Sequence, residues 1–283
     1  RIDGRRQRTL LQPYFNWRTQ LAAGWQLEAG LRGFLLDGVA ARLEPRLALD
    51  WQLNAQQRLT FSYGWQHQRI APQIELAARD RLPAMRVAHS SVQWRYQWAN
   101  TTSLKVEGYY QRLTDVPISA DAMTSFSAIN LLEGYRNERL RSDGTGENYG
   151  LEVMLQRAPT DAWYYLVTGS LYESRYQGSD QVWRNTRWNG QYTANATVGR
   201  EWALTQKKKE KERTLGINFS ISALGGFRTT PIDEQASAEA GTTVYQTGEA
   251  FTVQQGDFQR VDLRIYLRRN LPGRNTTLAL DIQ

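Results

Sequence analysis

RLTFSYGWQH, residues 58–67, decides how this chain folds. Leu59, Phe61, Tyr63 and Trp65 fall on one side of an extended backbone, and Thr60, Ser62, Gly64 and Gln66 fall on the other. Successive side chains of a strand point to opposite faces, so the stretch is a period-2 strand with one apolar and one polar face. In a soluble protein the aromatic face would be core; in a membrane barrel it would be the outside.

The pattern recurs along the chain. Leu11, Pro13, Phe15 and Trp17 oppose Gln12, Tyr14, Asn16 and Arg18. Trp25, Leu27, Ala29, Leu31 and Leu35 oppose Gln26, Glu28 and Arg32. Leu43, Leu47, Leu49 and Trp51 oppose Arg42, Glu44, Arg46, Asp50 and Gln52, and Val92, Trp94, Tyr96 and Trp98 oppose Ser91, Gln93, Arg95 and Gln97. Further copies are expected near 103–113, 147–157, 163–176, 190–202, 213–227, 258–268 and 275–283. That predicts about twelve antiparallel strands of roughly 9–15 residues, where globular strands cluster near five or six and a tilted bilayer-crossing strand needs about nine to eleven.

Composition bounds the reading without deciding it. The chain has 283 residues, a net charge of +7, ten Trp, fourteen Tyr and no Cys. Its mean hydropathy is −0.60, and it holds no run of about 18 apolar residues, which excludes a transmembrane helix. The absence of Cys suits a reducing compartment or a barrel that needs no staples. The chain begins RIDGRRQRTLLQ, with no initiator Met and no apolar signal segment, and is expected to be a mature chain or an internal fragment.

Three further features favour the membrane. The polar faces carry Gln, Asn, Ser, Thr, Gly and charges of mixed sign, with Lys nearly confined to one turn. Glu44, Arg46 and Asp50 alternate in sign on one strand, and Arg260, Asp262 and Arg264 on another; with Arg95 and Glu152 they are expected to face a wet or plugged lumen. An ordinary solvated sheet face would carry such pairs too. Connections alternate short (19–24, 53–57, 99–102, 158–162, 269–275) and long (67–86, 114–146, 178–189, 228–256), as in outer-membrane barrels, with exceptions at 36–41 and at the basic turn 203–213. Trp17, Trp25, Trp51, Trp98, Trp163 and Trp202 lie beside short connections, as an interfacial girdle would. Tyr110, Tyr172, Tyr192 and Phe227 are expected to form the opposite girdle.

The stretch GTGENYGLEVMLQR (144–157) resembles the GTG-x-NYG-x-E segment of TonB-dependent outer-membrane receptors, especially those of Bacteroidetes type. In order after it, YYLVTGSLYESRYQGSD (164–180), RNTRWNGQYTAN (184–195), GGFRTTPIDEQASAEAGTTVY (225–245), and FQRVDLRIYLRRN with LALDIQ (258–283) resemble the same family. The earlier PRLALDWQLNAQQRLTFSYGWQHQ (45–68) fits its strand–turn–strand units. The resemblance implies an all-β, antiparallel transmembrane β-barrel. Residues 1–283 would form part of a 22-stranded wall, roughly strands ten to twenty-one, without the plug domain, the TonB box, the early strands or the last strand. It also implies energy-coupled uptake of a scarce ligand: a ferric siderophore or other iron chelate first, an oligosaccharide or peptide next. Implied partners are outer-membrane lipid and lipopolysaccharide, the protein's own plug, and the TonB complex. No cofactor, catalytic activity or nucleic-acid partner is implied.

Candidate ligand groups lie in two predicted external loops: Trp183, Arg184, Arg187 and Trp188 in one, Tyr135, Arg136 and Arg139 in the other. Aromatics stack on planar or sugar ligands and Arg pairs with carboxylates and phosphates; packing between loops or contact with lipopolysaccharide would use the same residues. His67 and His89 lack metal-ligand spacing, and GTGENYG lacks the Lys of a phosphate loop and the acid spacing of a calcium loop. KKKEKER (207–213) is expected to be solvated or to meet lipid headgroups. Two alternatives stay open: an independent twelve-stranded outer-membrane pore or enzyme, and a soluble carbohydrate-binding β-sandwich.

Overall fold

A computed structural model describes residues 7–77, 82–99, 101–131, 139–159, 163–204, 212–271 and 273–283. In chain order the strands are β1 (Leu10–Leu11), β2 (Tyr14–Ala22), β3 (Trp25–Leu36), β4 (Arg42–Gln52), β5 (Gln57–Gln68), β6 (Met85–Ala99), β7 (Thr102–Ser119) and β8 (Leu140–Arg157). They continue as β9 (Trp163–Gln177), β10 (Trp183–Asn185), β11 (Tyr192–Ala203), β12 (Glu212–Leu224), β13 (Arg228–Thr229), β14 (Val253–Gln254), β15 (Phe258–Leu271) and β16 (Arg274–Ile282). Two short helices, α1 (Pro72–Ala77) and α2 (Glu234–Ala240), lie in long connections. No helix among the described residues is long and apolar enough to cross a membrane.

One antiparallel sheet of 14 strands dominates, each long strand pairing with the next in sequence. Its long members are β2 to β9, β11, β12, β15 and β16, from 9 residues in β2 to 18 in β7 and β8. The sheet is open: β16 has only β15 beside it, and β1 and β2 share the same edge of β3. The remaining sheet is the β13–β14 pair, so among the described residues no second sheet faces the large one. A β-sandwich needs two facing sheets, and the described residues do not supply them.

Register carries the alternation of 58–67 across the whole sheet. Leu49, Phe61 and Val92 are consecutive partners on β4, β5 and β6, and Val106 pairs Val153 on β7 and β8. Further along, Val198, Phe219 and Leu263 line up on β11, β12 and β15. This apolar face is bare: Phe61 is 40% exposed and Leu47 52%. The residues that are buried and apolar sit elsewhere. Ile70, Ile74, Leu82, Ala128 and Leu140 form a core among the long connections, and Phe34, Leu36 and Ala84 form a smaller one. Glu75 of α1 pairs with Arg8 at 2.6 Å and Arg69 at 3.1 Å, which anchors that layer.

The opposite face is tied together by polar rungs. Thr60 donates to Asp50 at 2.5 Å, Ser62 and Ser91 hydroxyls meet at 2.7 Å, and Arg18 pairs Glu28 at 2.6 Å. On this face aromatic rings cover glycines of the neighbouring strand. A Cβ on Gly216 would lie 2.1 Å from the Tyr266 ring, and one on Gly199 2.2 Å from the Tyr164 ring. Gly in a strand interior is weakening unless something approaches closely, and here a ring does. Gly216→Val is therefore expected to cost about 1–3 kcal/mol in urea unfolding of the lipid-reconstituted protein. Gly108→Ala, with nothing within 4 Å of its Cβ, should be near neutral.

The short connections (at Gly24, 53–56, 100–101, 158–162 and Gly273) all fall at one end of the sheet and the long ones at the other, with the 37–41 and 204–211 exceptions where expected. Trp17, Trp25, Trp51, Trp98, Trp163 and Trp202 sit on the apolar face near the short-turn end. Trp25 stacks on Trp51 at 4.9 Å, and the Arg200 guanidinium lies 5.4 Å from the Trp163 ring and 5.1 Å from that of Trp202. Residues 205–211, the core of the basic turn, lie outside the described residues.

Three expectations are corrected. β7 and β8 run well beyond 113 and 147: Val116 pairs Gly144 and Ile118 pairs Arg141, so the start of GTGENYG, expected within the connection 114–146, is strand. Tyr172 lies opposite Gly150, on the polar face, because period 2 groups it with Ser170 and Ser174 and leaves Leu171 on the apolar side. Phe227 also turns to the polar side, against Trp188. Neither belongs to an apolar-face girdle; at the long-loop end that face instead presents Tyr63, which accepts from the Trp65 indole at 2.8 Å, and Tyr110.

Candidate functional site

At the long-loop end, the connections 120–131, 178–191 and 225–257 pack on one another over the polar face. The first is pinned to the end of β9 and to the second. Tyr176, fully buried, donates to the Ser125 carbonyl at 2.9 Å. The Thr124 N–H donates to Ser179 Oγ at 3.0 Å, and Ser179 Oγ donates to the Asp121 carbonyl at 2.6 Å. The second is pinned to the third by Arg228, whose Nε donates to the Asn189 carbonyl at 2.9 Å.

The segment 183–190 lies along the edge of β9 above Leu171, where β11 no longer pairs with it. Asn189, fully buried, accepts from the Ser174 N–H at 3.2 Å and donates to Glu173 and Asn185, each at 2.8 Å. Thr186 donates to Ser174 Oγ at 2.8 Å. A strand edge that would otherwise carry unpaired backbone groups is thus capped by side chains. From there a polar chain runs across four strands: Ser174 donates to Asn148 at 2.7 Å, Asn148 to Gln111 at 3.1 Å, and Gln111 meets His89 Nδ1 at 3.1 Å. Below the loops this chain crosses an open cleft of about 460 Å³ that is also lined by Glu107, Tyr109, Glu152, Tyr172, Trp188 and Phe227.

The sequence-derived candidates divide. Trp188 donates its indole N–H to the Ile129 carbonyl at 3.2 Å and packs edge-on against Phe227 at 5.5 Å, with one side open to the cleft. Arg187 donates to the Asn130 carbonyl at 2.8 Å and reaches a second cavity among the loops. Arg184 is committed to Asp180 at 2.7 Å, with both side chains largely buried, so its fork is spent within its own loop. Trp183 is half-exposed beneath the Arg112 guanidinium, 5.5 Å from the ring centre, on the apolar-face side. Arg139 is exposed at the start of β8, its carbonyl accepting from the Ala120 N–H. Tyr135 and Arg136 lie outside the described residues. The structure therefore brings Arg187 and Trp188 together and separates Trp183 and Arg184 from them.

All the residues expected to face a lumen share the polar face. Arg46 lies against Gly30 and Gly64, Asp50 accepts from Thr60, and Arg95 sits between Arg58 and Lys105. Glu152 lies opposite Glu107, Arg260 pairs Asp262 at 2.8 Å, and Arg264 pairs Asp281 at 3.6 Å. Glu44 is fully buried against Arg32 and His67. Among the described residues no three His, Cys, Asp or Glu gather as a metal site would. Sequence reading missed His89, Gln111, Asn148 and Ser174 as one unit; only register brings them to one level.

The architecture matches solved structures over nearly its whole length. Aligned on the FrpB iron transporter from Neisseria meningitidis (F3-3 variant), the chain gives a TM-score of 0.65 at 14% identity, covering 97% of this chain and 40% of that one. The fold is that of part of that structure. BauA, the ferric preacinetobactin receptor from Acinetobacter baumannii, gives 0.61 at 13% identity, with 97% of this chain and 38% of that one. The chain thus spans about two-fifths of the length of these proteins. No family model and no curated sequence matches it.

Proposed function

We propose that this chain is part of the barrel wall of a TonB-dependent outer-membrane receptor for energy-coupled uptake of a scarce ligand, an iron chelate before an oligosaccharide or peptide. The observation that carries the reading is the bare apolar face. Among the described residues a continuous belt from β2 to β16 has no protein cover, its opposite face is polar, and its rim nearest the short turns carries Trp. A belt of that kind fits hydrocarbon, with aromatic side chains at the headgroup level. The low-identity likeness to an iron transporter and a ferric-chelate receptor supports the cargo class and a role in transport rather than catalysis.

In this reading the apolar face meets lipid and lipopolysaccharide, and the polar face, with Glu44, Arg46, Asp50, Arg95, Glu152, Arg260, Asp262 and Arg264, meets the plug that the TonB complex acts on. The open edges at β2 and β16 support membership of a larger closed barrel, of 22 strands in the family resembled, because unpaired edges in hydrocarbon leave backbone groups unsatisfied. The motif order of 144–283 favours the Bacteroidetes type.

The test is uptake of a radio-iron chelate by cells expressing the complete gene. Uptake that stops when the proton-motive force is collapsed, and that needs TonB, is expected. Passive flux insensitive to both would instead favour a simple pore.

A further inference from the structure

Near the short turns, the apolar face of the large sheet changes character halfway across. At that end the outward positions of β2 to β7 carry Trp, Tyr and Leu but no Lys or Arg among the described residues. The outward positions of β8 to β16 carry Arg157, Arg200, Arg213, Arg269 and Arg274. Alternation fixes their side. Arg157 follows Val153 and Leu155, Arg200 lies between Val198 and Trp202, and Arg269 follows Ile265 and Leu267.

Arg157 and Arg200 flank one step of β9. Arg157 stands opposite Tyr165 on one side, and Arg200 stands opposite Trp163 on the other. Two strand spacings separate them, roughly 10 Å. The Arg200 guanidinium is held over the Trp163 and Trp202 rings, at 5.4 and 5.1 Å. A guanidinium laid on rings keeps its N–H edge for an oxyanion. Among the described residues no carboxylate pairs with either arginine, and the outward positions of β8 to β16 at this end hold no Asp or Glu. The far end of the same face differs: there Arg112 has Glu147 at 3.9 Å and Arg175 has Glu173 at 3.7 Å.

We infer that this half of the rim is a binding site for an anionic phospholipid of the leaflet on the short-turn side. Its phosphate would sit over β9, between Arg157 and Arg200 and against Trp163. Its acyl chains would run along Leu155, Val167, Val198 and Leu215, which continue the apolar face from the same level. Arg269 and Arg274 extend the positive rim toward the open edge and favour a headgroup with net negative charge. A zwitterionic headgroup brings its own cation and gains less here. Free phosphate would use the arginines and leave the adjoining apolar surface unmatched. The inference rests on the reading of the apolar face as lipid-facing.

The test titrates the complete gene product in detergent with dioleoyl phosphatidylglycerol or dioleoyl phosphatidylcholine, and counts retained lipid by native mass spectrometry. Phosphatidylglycerol should be retained about tenfold more tightly, and the preference should shrink as salt is raised. Arg157→Gln with Arg200→Gln should abolish the preference, while Arg264→Gln, on the polar face, should leave it intact. Arg200→Lys keeps the charge but not the planar fork, and should lose part of it. Heat-resistant electrophoretic migration checks that each variant is folded. Equal retention of the two lipids by the unmodified protein would overturn the proposal and spare the lipid-facing reading. Retention of neither lipid would overturn both. A preference that survives the double variant, or falls equally with Arg264→Gln, would reduce the effect to bulk charge and overturn the site. Displacement of phosphatidylglycerol by an equal concentration of inorganic phosphate would make this a free-anion site and overturn the lipid assignment.

Discussion

Glu44→Ala is expected to lower stability by about 3–5 kcal/mol, the cost of stripping one partner from a buried ion pair. Glu44 is 0% exposed. Its carboxylate takes the Arg32 guanidinium on one oxygen; on the other it takes both the backbone N–H and, at 3.2 Å, the Nδ1 of His67. The arrangement follows from Pro45. The β4–β5 ladder runs up to Arg46 opposite Gly64 and stops there, since proline has no N–H to continue it. Above that point β5 has a backbone donor without a strand partner, and Glu44 serves it. Alanine would leave both the Arg32 charge and the His67 N–H uncompensated. Glu44→Gln keeps an acceptor for the N–H and loses the charge, so its loss should be clearly smaller. Equilibrium urea unfolding in lipid, followed by Trp fluorescence, reads both. A loss under about 1 kcal/mol for the alanine variant would mean that the cluster is solvated and not buried.

The second large effect is on the other face. Phe61→Arg is expected to cost about 2–4 kcal/mol, the penalty for an arginine facing lipid near mid-bilayer. Phe61 sits between Leu49 and Val92 in the middle of the apolar belt. Ser62→Arg, one residue along and beside Ser91, points to the polar face and should cost far less, since that face already carries Arg46, Arg95 and Arg264. The contrast between neighbours is the signature of a one-residue alternation. If Ser62→Arg proved the costlier change, the two faces would have been assigned the wrong way round.

Much of the fold was legible because alternation is written locally. In 42–52 and 58–67 every second residue is apolar, and the pairs Leu47–Tyr63, Leu49–Phe61 and Trp51–Leu59 follow once the turn at 53–56 fixes the register. The alternation of short and long connections was legible for the same reason. What escaped was set by contacts between segments distant in sequence. The start of GTGENYG reads as a turn, yet a Cβ on Gly144 would lie 2.3 Å from Ile118, so the glycine admits a neighbouring strand. Residues 114–119 hold Pro117 and a left-handed Asp115 (φ 58°), which hide a strand that continues through bulges. Tyr172 is aromatic at a strand end, which suggested a girdle; its partner Gly150 gives it the polar face instead.

The candidate site was less legible than the fold. RNTRWNG was visible as Arg- and Trp-rich, but Asn189 and Thr186, the two fully buried members, are the ones that hold the loop to β9. Arg184 looks like a ligand group in sequence and is taken by Asp180 four residues earlier.

The central claim is that Leu59, Phe61, Tyr63 and Trp65 contact lipid. The chain has no Cys, so single cysteines can be placed at positions 59 to 66 of the complete protein, spin-labelled and reconstituted in vesicles. The account predicts a period-2 alternation: odd positions accessible to dissolved oxygen and shielded from a water-soluble relaxation agent, even positions the reverse. Odd positions shielded from both reagents would place those side chains in a sealed protein interior and contradict the account.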